Sequence, residues 1–389
     1  MAQAASAGKF EIVKSDEEWR RELTSEQYAV LRRHETEHPA VAQLRSGCEL
    51  PHIHHHALRV VLWNGISALG TVMIMMTSDQ ITETLEKRLG RLHARQRLGI
   101  ERDHEAQVFG QGLNFFHIEN LPSSHVFIRA ALMLTGLYWR GLKNAGKVEL
   151  RHNYIKSPEL PKPFDGFKVL QLSDLHVEMS TDAVQRVGEL LRDVTYDLSV
   201  LTGDYRGQTF GFYEAALAGM ARVRAGLKRP IYGVLGNHDT VRMVPGLEEM
   251  GIRMLLNESE VIERGGHRIH LAGIDDAHYY RVDNIEKAAA GIPPDEFSIL
   301  LSHTPEIYQQ AAYADFNLLL SGHTHGGQIC LPGGIPITLD SILPRSMGSG
   351  PWKYQGMIGY TSVGAGSSVV PVRFNCPPEV TLHHLQSLQ

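Results

Sequence analysis

Five short apolar runs from Phe167 onward each end in the same kind of polar cluster, and that recurrence constrains the fold more than any other feature. "FKVLQLS" runs into Asp174 and His176, "DLSVLTG" into Asp204, and "IYGVLG" into Asn237, His238 and Asp239. "FSILLS" then delivers His303, and "FNLLLSG" delivers His323 and His325. Runs this short, rich in Val, Ile and Leu, predict buried strands. Helical patterns over 182–192 and 213–227 separate the first three. Strand, helix and strand in repeated order predict an α/β fold with a parallel or mixed sheet covered by helices. In such sheets function gathers at the carboxyl ends of the strands.

An Asp after one strand is ordinarily a turn former or a helix cap. Acids, imidazoles and an amide at five successive strand ends call for a common purpose. Asp174, His176, Asp204, Asn237, His303, His323 and His325 form a mixed oxygen and nitrogen set without thiolates. That chemistry suits divalent Mn, Fe or Zn and not a structural zinc site. Seven ligands exceed the needs of one tetrahedral ion. Two ions about 3.5–4 Å apart, bridged by a carboxylate and a hydroxide, fit the number and recur in phosphoryl chemistry. His323 and His325 stand two apart on extended backbone, so both can point into one space.

The order Asp-x-His, Gly-Asp, Gly-Asn-His-Asp, His, Gly-His-x-His, running from about Phe167 to the C-terminus, resembles the calcineurin-like metallophosphoesterase superfamily. The resemblance implies a four-layer α/β/β/α sandwich. It also implies that Asp174, His176 and His325 hold one ion and Asn237, His303 and His323 the other, with Asp204 bridging. The two histidines of the "GHTHGGQ" turn would then serve different ions. The implied reaction is hydrolysis of a phosphodiester or pyrophosphate by a metal-bridging hydroxide. His238 would protonate the leaving oxygen or stabilise the transition state, and Asp239 would hold its imidazole in the right tautomer. The "GHTHGGQ" form and the tail "PVRFNCPPEVTLHHL" are most similar to a bacterial phosphodiesterase branch that includes membrane-associated UDP-2,3-diacylglucosamine pyrophosphatases. A lipid-linked nucleotide at the cytoplasmic membrane face is therefore an alternative substrate. A metal-binding interaction module without turnover is another, which the presence of His238 opposes.

Other residues carry open roles. Arg206 can reach a substrate phosphate with its planar fork or form an exposed salt bridge. Asp275, Asp276 and His278 follow a further strand, "RIHLAGI", and can line the pocket, support the metal ligands or cap a helix. Arg345 and Arg373 sit in Gly- and Pro-rich loops where a phosphate contact is possible, and Cys330 reads as a buried small residue.

The catalytic domain is expected over 151–389, its strand–helix pattern beginning at Phe167 after the linker "KSPELPKPFDG". Before it, 58–150 reads as helical. Ile81, Leu85, Leu89 and Leu92 recur at helical spacing, and a second apolar helix with a basic edge spans Val126–Trp139, suited either to a membrane interface or to packing on the catalytic domain. Val60–Met76 is a short apolar stretch of about 25 Å against a bilayer core of about 30 Å, read as a buried or interfacial helix with a membrane span as the alternative. In the spanning case Lys87, Arg88, Arg91, Arg95 and Arg97 would keep the downstream domain cytoplasmic. Residues 1–57 form a polar appendage. Its stretch 10–39 resembles the opening of the methionine sulfoxide reductase B family without that family's catalytic core, and Cys48 alone cannot form its zinc site or redox pair. His52, His54, His55 and His56 read as an exposed polar turn. A net charge of −5 offers no basic field for nucleic acid, and three separated cysteines, Cys48, Cys330 and Cys376, suit a reducing compartment. No basic-then-apolar leader opens the chain, so the expected location is cytoplasmic, with peripheral membrane contact through 58–150.

Overall fold

The computed structural model describes residues 77–110 and 122–388. The expectations for 1–57, including the reductase-like stretch and the histidine turn, and for Val60–Met76 lie outside the described residues. Among the described residues no helix is long and apolar enough to cross a membrane.

Among the described residues four helices precede the sheets: α1 (Ser78–Leu89), α2 (Arg91–Gly110), α3 (Pro122–Leu134) and α4 (Tyr138–Ala145). A capping box at Thr77 and Gln80 starts α1, and Gly90 at φ 86° ends it. The turn at Gly90 removes Leu92 from the stripe that buries Leu85 and Leu89, leaving it 83 % exposed and correcting its expected place. The second apolar helix is likewise two helices, because the chain turns at Gly136 (φ 71°).

Among the described residues fourteen strands follow, most of them in two six-stranded sheets. The first sheet runs in the order β1 (Glu149–Ser157), β14 (Glu379–Ser387), β2 (Lys168–Leu172), β3 (Leu198–Thr202), β4 (Ile231–Val234) and β5 (Arg253–Met254). From β2 to β5 all pairings are parallel. The second runs β12 (Gly350–Tyr354), β13 (Met357–Thr361), β9 (Leu318–Ser321), β8 (Ser298–Leu301), β7 (His267–Gly273) and β6 (Glu258–Arg264), parallel from β13 to β7. A small hairpin, β10 (Cys330–Leu331) with β11 (Ile335–Pro336), stands apart.

The period-two alternation of strand side chains explains the layers. Val169, Leu198, Val200 and Val234 of the first sheet share one core with Ile269, Ile299, Leu301, Leu318 and Leu320 of the second. Their neighbours in sequence face the other way. Leu170, Leu172 and Leu201 pack under α5 (Thr181–Asp193), α6 (Glu214–Ala225) and α7 (Val244–Glu249). Leu300 and Leu319 pack with α8 (Ile285–Ala289) and α9 (Tyr308–Tyr313). Helix, sheet, sheet and helix are the four layers the motif order implied. Leu85, Leu89 and Ala94 of α1 and α2 join the outer core of the first sheet, so these helices pack as part of the same body.

Gln171 is one of the polar residues on an inward face. Its Nε2 donates to Thr202 Oγ1 (3.0 Å) and to Ser321 O (2.9 Å), and its Oε1 lies 2.9 Å from His383 Nε2. Burial lowers the His383 pKa to about 3, keeping the ring neutral. This satisfied network joins both sheets where β2, β3 and β9 end.

Candidate metal centre

The strand ends of both sheets meet. Asp174 and His176 follow β2, Asp204 follows β3, Asn237 to Asp239 follow β4, His303 follows β8, and His323 and His325 follow β9. All are buried. Five of them, Asp174, His176, Asp204, His323 and His325, have φ between 38° and 72°. Left-handed backbone costs a non-glycine residue about 1 kcal/mol or more, and such residues cluster where a site dictates the geometry.

The seven side chains converge as two overlapping groups. Ligand atoms of Asp174, His176 and His325 lie within 4.8 Å of one another, and so do those of Asp174, Asp204 and His303. His176 Nε2 is 3.1 Å from His325 Nε2. Asn237 Oδ1 lies 2.9 Å from His303 Nε2 and 3.0 Å from His323 Nδ1. Asp204 Oδ2 reaches both groups, at 3.2 Å from His303 Nε2 and 3.8 Å from His176 Nε2.

Their outer contacts orient these donors. His176 Nδ1 donates to Arg206 O (2.8 Å) and His303 Nδ1 to Thr202 O (2.8 Å). In the neutral rings each Nε2 then presents a lone pair inward, as metal-bound histidines do. His303 Nε2 would thus face two acceptors, Asn237 Oδ1 and Asp204 Oδ2, which only a cation or a proton can reconcile. Close backbone approach tightens the site: a Cβ on Gly236 would overlap Asp204 Oδ1, and one on Gly322 would overlap Ser173 Oγ and Asp174 Oδ2. Gly322 thus crowds a carboxylate, and Gly326 and Gly327 back onto Cys376 and Pro336.

Electrostatics show the same demand for positive charge. Burial, opposed by His303 and reinforced by Asp204, pushes Asp174 up to about 7. Burial alone would lower the His303 pKa, but Asp204 and Asp174 raise it to about 10. Asp204, although buried, is held well below the usual carboxylate range by His303, His238 and His176. The donor set therefore fits divalent ions: without one, protons on His303 and partly on Asp174 carry the balancing charge. Both pKa values stand above their ordinary ones, so both groups hold protons that metal must displace at neutral pH. Loading at pH 7 is expected to release roughly one to two protons per chain, with apparent affinity rising as pH rises toward 10. Titration calorimetry in buffers of different ionisation enthalpy measures that number.

Several expected roles are corrected. The Asp239 carboxylate does not orient the His238 ring; it accepts from the N–H of Asp204 (2.8 Å), Tyr205 (2.9 Å) and Gly236 (2.9 Å), tying β3 and β4 together. Burial, with Asp204 adding, pushes its pKa up to about 6. The partner of His238 Nδ1 is Thr209 Oγ1 at 3.1 Å, a residue whose approach comes from loop closure and carries no sequence motif. Arg206 does not form an exposed salt bridge. It is 2 % exposed and donates to His238 O, Thr209 O and Gly211 O. Arg373 is fully buried, donating to Val363 O (2.7 Å) and Gly366 O (2.6 Å), with Nη2 3.1 Å from His325 Nδ1. Arg345 is exposed and donates to Pro336 O (3.2 Å).

Of the trio after β7, Asp276 accepts from the N–H of His278, Tyr279 and Tyr280 and shapes the loop, while Asp275 pairs with α2. The His278 ring reaches the centre, 4.2 Å from the ring of His323, and is held by Glu306 Oε2 at 2.7 Å. Cys330 is buried as expected; Cys376, far away in sequence, shares its pocket as a second free thiol.

A family model described as calcineurin-like phosphoesterase matches residues 167–327. The uncharacterized metallophosphoesterase YkoQ of Bacillus subtilis (strain 168) is 32 % identical over 228 residues, 56 % of this chain and 83 % of that protein. YkuE of the same organism, also an uncharacterized metallophosphoesterase, is 30 % identical over 251 residues, 62 % of this chain and 86 % of that protein. A transmembrane protein with metallophosphoesterase domain from Bos taurus is 30 % identical over 289 residues, 68 % of this chain and 62 % of that protein. Identity sustained over more than four-fifths of two such relatives means that the chain belongs to the calcineurin-like phosphoesterase family.

Proposed function

We propose that this chain hydrolyses a phosphodiester or pyrophosphate bond using two divalent ions held by the seven strand-end residues. The observation that carries the reading is Asp204, whose Oδ2 stands between His303 Nε2 and His176 Nε2. One carboxylate between two donor groups is what a bridged pair of ions requires. Asp174, His176 and His325 would hold one ion, and Asn237, His303 and His323 the other. The ions would supply an activated water and neutralise charge on the phosphoryl oxygens.

The chain's own residues do the remaining work. His238 Nε2 lies 4.0 Å from Asp204 Oδ2, and its N–H donates to Asp204 Oδ1 (2.9 Å), so the ring stands beside the bridging position. That position supports a role in passing a proton to the leaving oxygen. Thr209 Oγ1 fixes its Nδ1, and Arg206 grips its carbonyl. His278, tethered by Glu306, adds a second imidazole next to His323 and supports a role in holding substrate oxygens.

A lipid-linked nucleotide is a second reading, favoured by one surface. On α3 and α4, Val126 (69 %), Leu134 (89 %) and Trp139 (70 %) are exposed beside Arg129, Arg140 and Lys143. An apolar surface edged by cations suits a membrane interface. It adjoins the loop behind the site: Gly141 O accepts from Arg373 N (3.0 Å), whose side chain touches His325.

A substrate panel on Mn-reconstituted protein tests both readings: monoesters, bis-p-nitrophenyl phosphate, nucleotide pyrophosphates, and UDP-diacylglucosamine in mixed micelles. Cleavage of diesters or pyrophosphates is expected. Preference for the diacylated nucleotide over its soluble counterpart would select the second reading, and a metal-loaded protein that cleaves none of them would refute both.

A further inference from the structure

Helix α2 lies upstream of the strand–helix repeat, yet its buried face is polar. His93, Arg97 and Glu101 follow one another at four-residue steps, so they share one side of the helix. Arg97 is 0 % exposed and Glu101 8 %. A helix that serves only as packing buries leucines at such positions, because charges cost free energy to desolvate unless they are paired.

Each of these side chains ends on the loop that carries His238 or on its support. Arg97 Nη2 donates to Asp239 O at 3.0 Å. Glu101 accepts twice, from Thr240 Oγ1 (2.5 Å) through Oε2 and from Val241 N (2.7 Å) through Oε1. The Arg97 charge is met by Glu101 (3.3 Å), by Asp275 (3.6 Å) and by the face of Tyr280, 3.5 Å from its guanidinium carbon. His93 Nε2 lies 2.9 Å from Asp275 Oδ2. The loop is therefore gripped at the three residues after His238, while Arg206 and Thr209 hold His238 itself.

We infer that α2 acts as a clamp on the 238–241 loop, with Arg97 and Glu101 as positioning residues that set the placement of the His238 imidazole. The inference rests on the proposed role of His238 in proton transfer. Arg97 and Glu101 touch no reacting atom; they act through the backbone of Asp239, Thr240 and Val241. Misplacing a catalytic group by about 1 Å costs up to about a hundredfold in rate. The clamp thus makes the upstream helices part of the catalytic device.

Glu101→Ala removes two loop contacts and leaves Arg97 paired with Asp275. It is expected to lower kcat about ten- to a hundredfold, with KM and metal content unchanged. The loss should be larger on phenyl esters than on p-nitrophenyl esters, because a poor leaving group needs the proton more. Glu101→Gln, which retains an acceptor oxygen for Val241 N, should recover most of that loss. In the His238→Ala background Glu101→Ala should cause no further loss. An equal loss in both backgrounds, or the same loss on both esters, would overturn the proposal.

Amide hydrogen exchange over 238–243 in the metal-loaded protein gives a readout that needs no turnover. Faster exchange there in Glu101→Ala, with the 298–303 segment unchanged, supports the clamp. Unchanged exchange over 238–243 would also overturn it. A wild-type chain that cleaved no phosphoester would defeat the reading of function and leave this comparison decisive for the clamp.

Discussion

Asp204→Asn is expected to reduce turnover by about a thousandfold or more, equivalent to about 4 kcal/mol of transition-state stabilisation, and to lower bound metal below two ions per chain. The substitution is nearly isosteric, so its consequences can be assigned. Asn keeps one oxygen, which can still accept from His238 N in place of Asp204 Oδ1. It loses the charge that lies between His303 and His176. Without that charge, His303 and His176 no longer face a common Asp204 oxygen, Asp174 is left as the one carboxylate shared by the two groups, and the proposed pair of ions is expected to fall to one. The fold should survive, since removing Asp204 also relieves its repulsion of Asp174 and Asp239. Elemental analysis after gel filtration, with a thermal melt as control, measures both effects. A variant that kept two ions and near-normal turnover would show that Asp204 does not bridge.

The second large effect is expected at His238, with the opposite pattern for metal. His238→Ala should lower kcat by about 10²–10⁴-fold, the usual worth of a positioned acid or base, while metal content stays at the wild-type level. The side chain is buried beside Asp204 but lies outside both groups of convergent ligand atoms. Its loss removes one cation-forming neighbour from Asp204 and leaves His303 and His176 in place. The loss should grow as the leaving group becomes more basic. Steady-state rates across a series of substituted phenyl esters, together with metal analysis, check it. Parallel loss of metal and turnover would make His238 a ligand instead.

The features legible in the sequence are those set by chain neighbours. Alternation along "FKVLQLS" and "FNLLLSG" is enough to separate the inner face of each sheet, Val169 or Leu318 and Leu320, from the outer, Leu170 or Leu319. The motif residues are also local, because each directly follows a strand whose end is fixed by hydrogen bonding to its neighbours. What local pattern cannot show is which distant group a side chain meets. Asp239 adjoins His238 in sequence, yet its carboxylate turns back to three N–H groups at the ends of β3 and β4. Arg206 follows Asp204 closely, but its Nε donates to the distant His238 carbonyl, with Thr209 O and Gly211 O of its own loop as further acceptors.

The upstream helices illustrate the same limit. Arg97 belongs to a cationic run that reads as a flank of a membrane segment, whereas the fold buries it completely against Asp275 and Tyr280. Its spacing from His93 and Glu101 was visible; its partners, contributed by loops after β4 and β7, were not. Cys330 and Cys376 were separated by the same kind of distance and share one pocket for the same reason. Long-range closure, and not local propensity, decides each of these cases.

In the proposed function the strand-end residues hold two ions and cleave a phosphoester. The most direct measurement is the rate of bis-p-nitrophenyl phosphate hydrolysis as metal-free protein is titrated with Mn at fixed pH. Turnover that rises to a plateau at two equivalents per chain is the expected result. Full uptake of metal with no hydrolysis at any equivalence, or a plateau already complete at one, would contradict it.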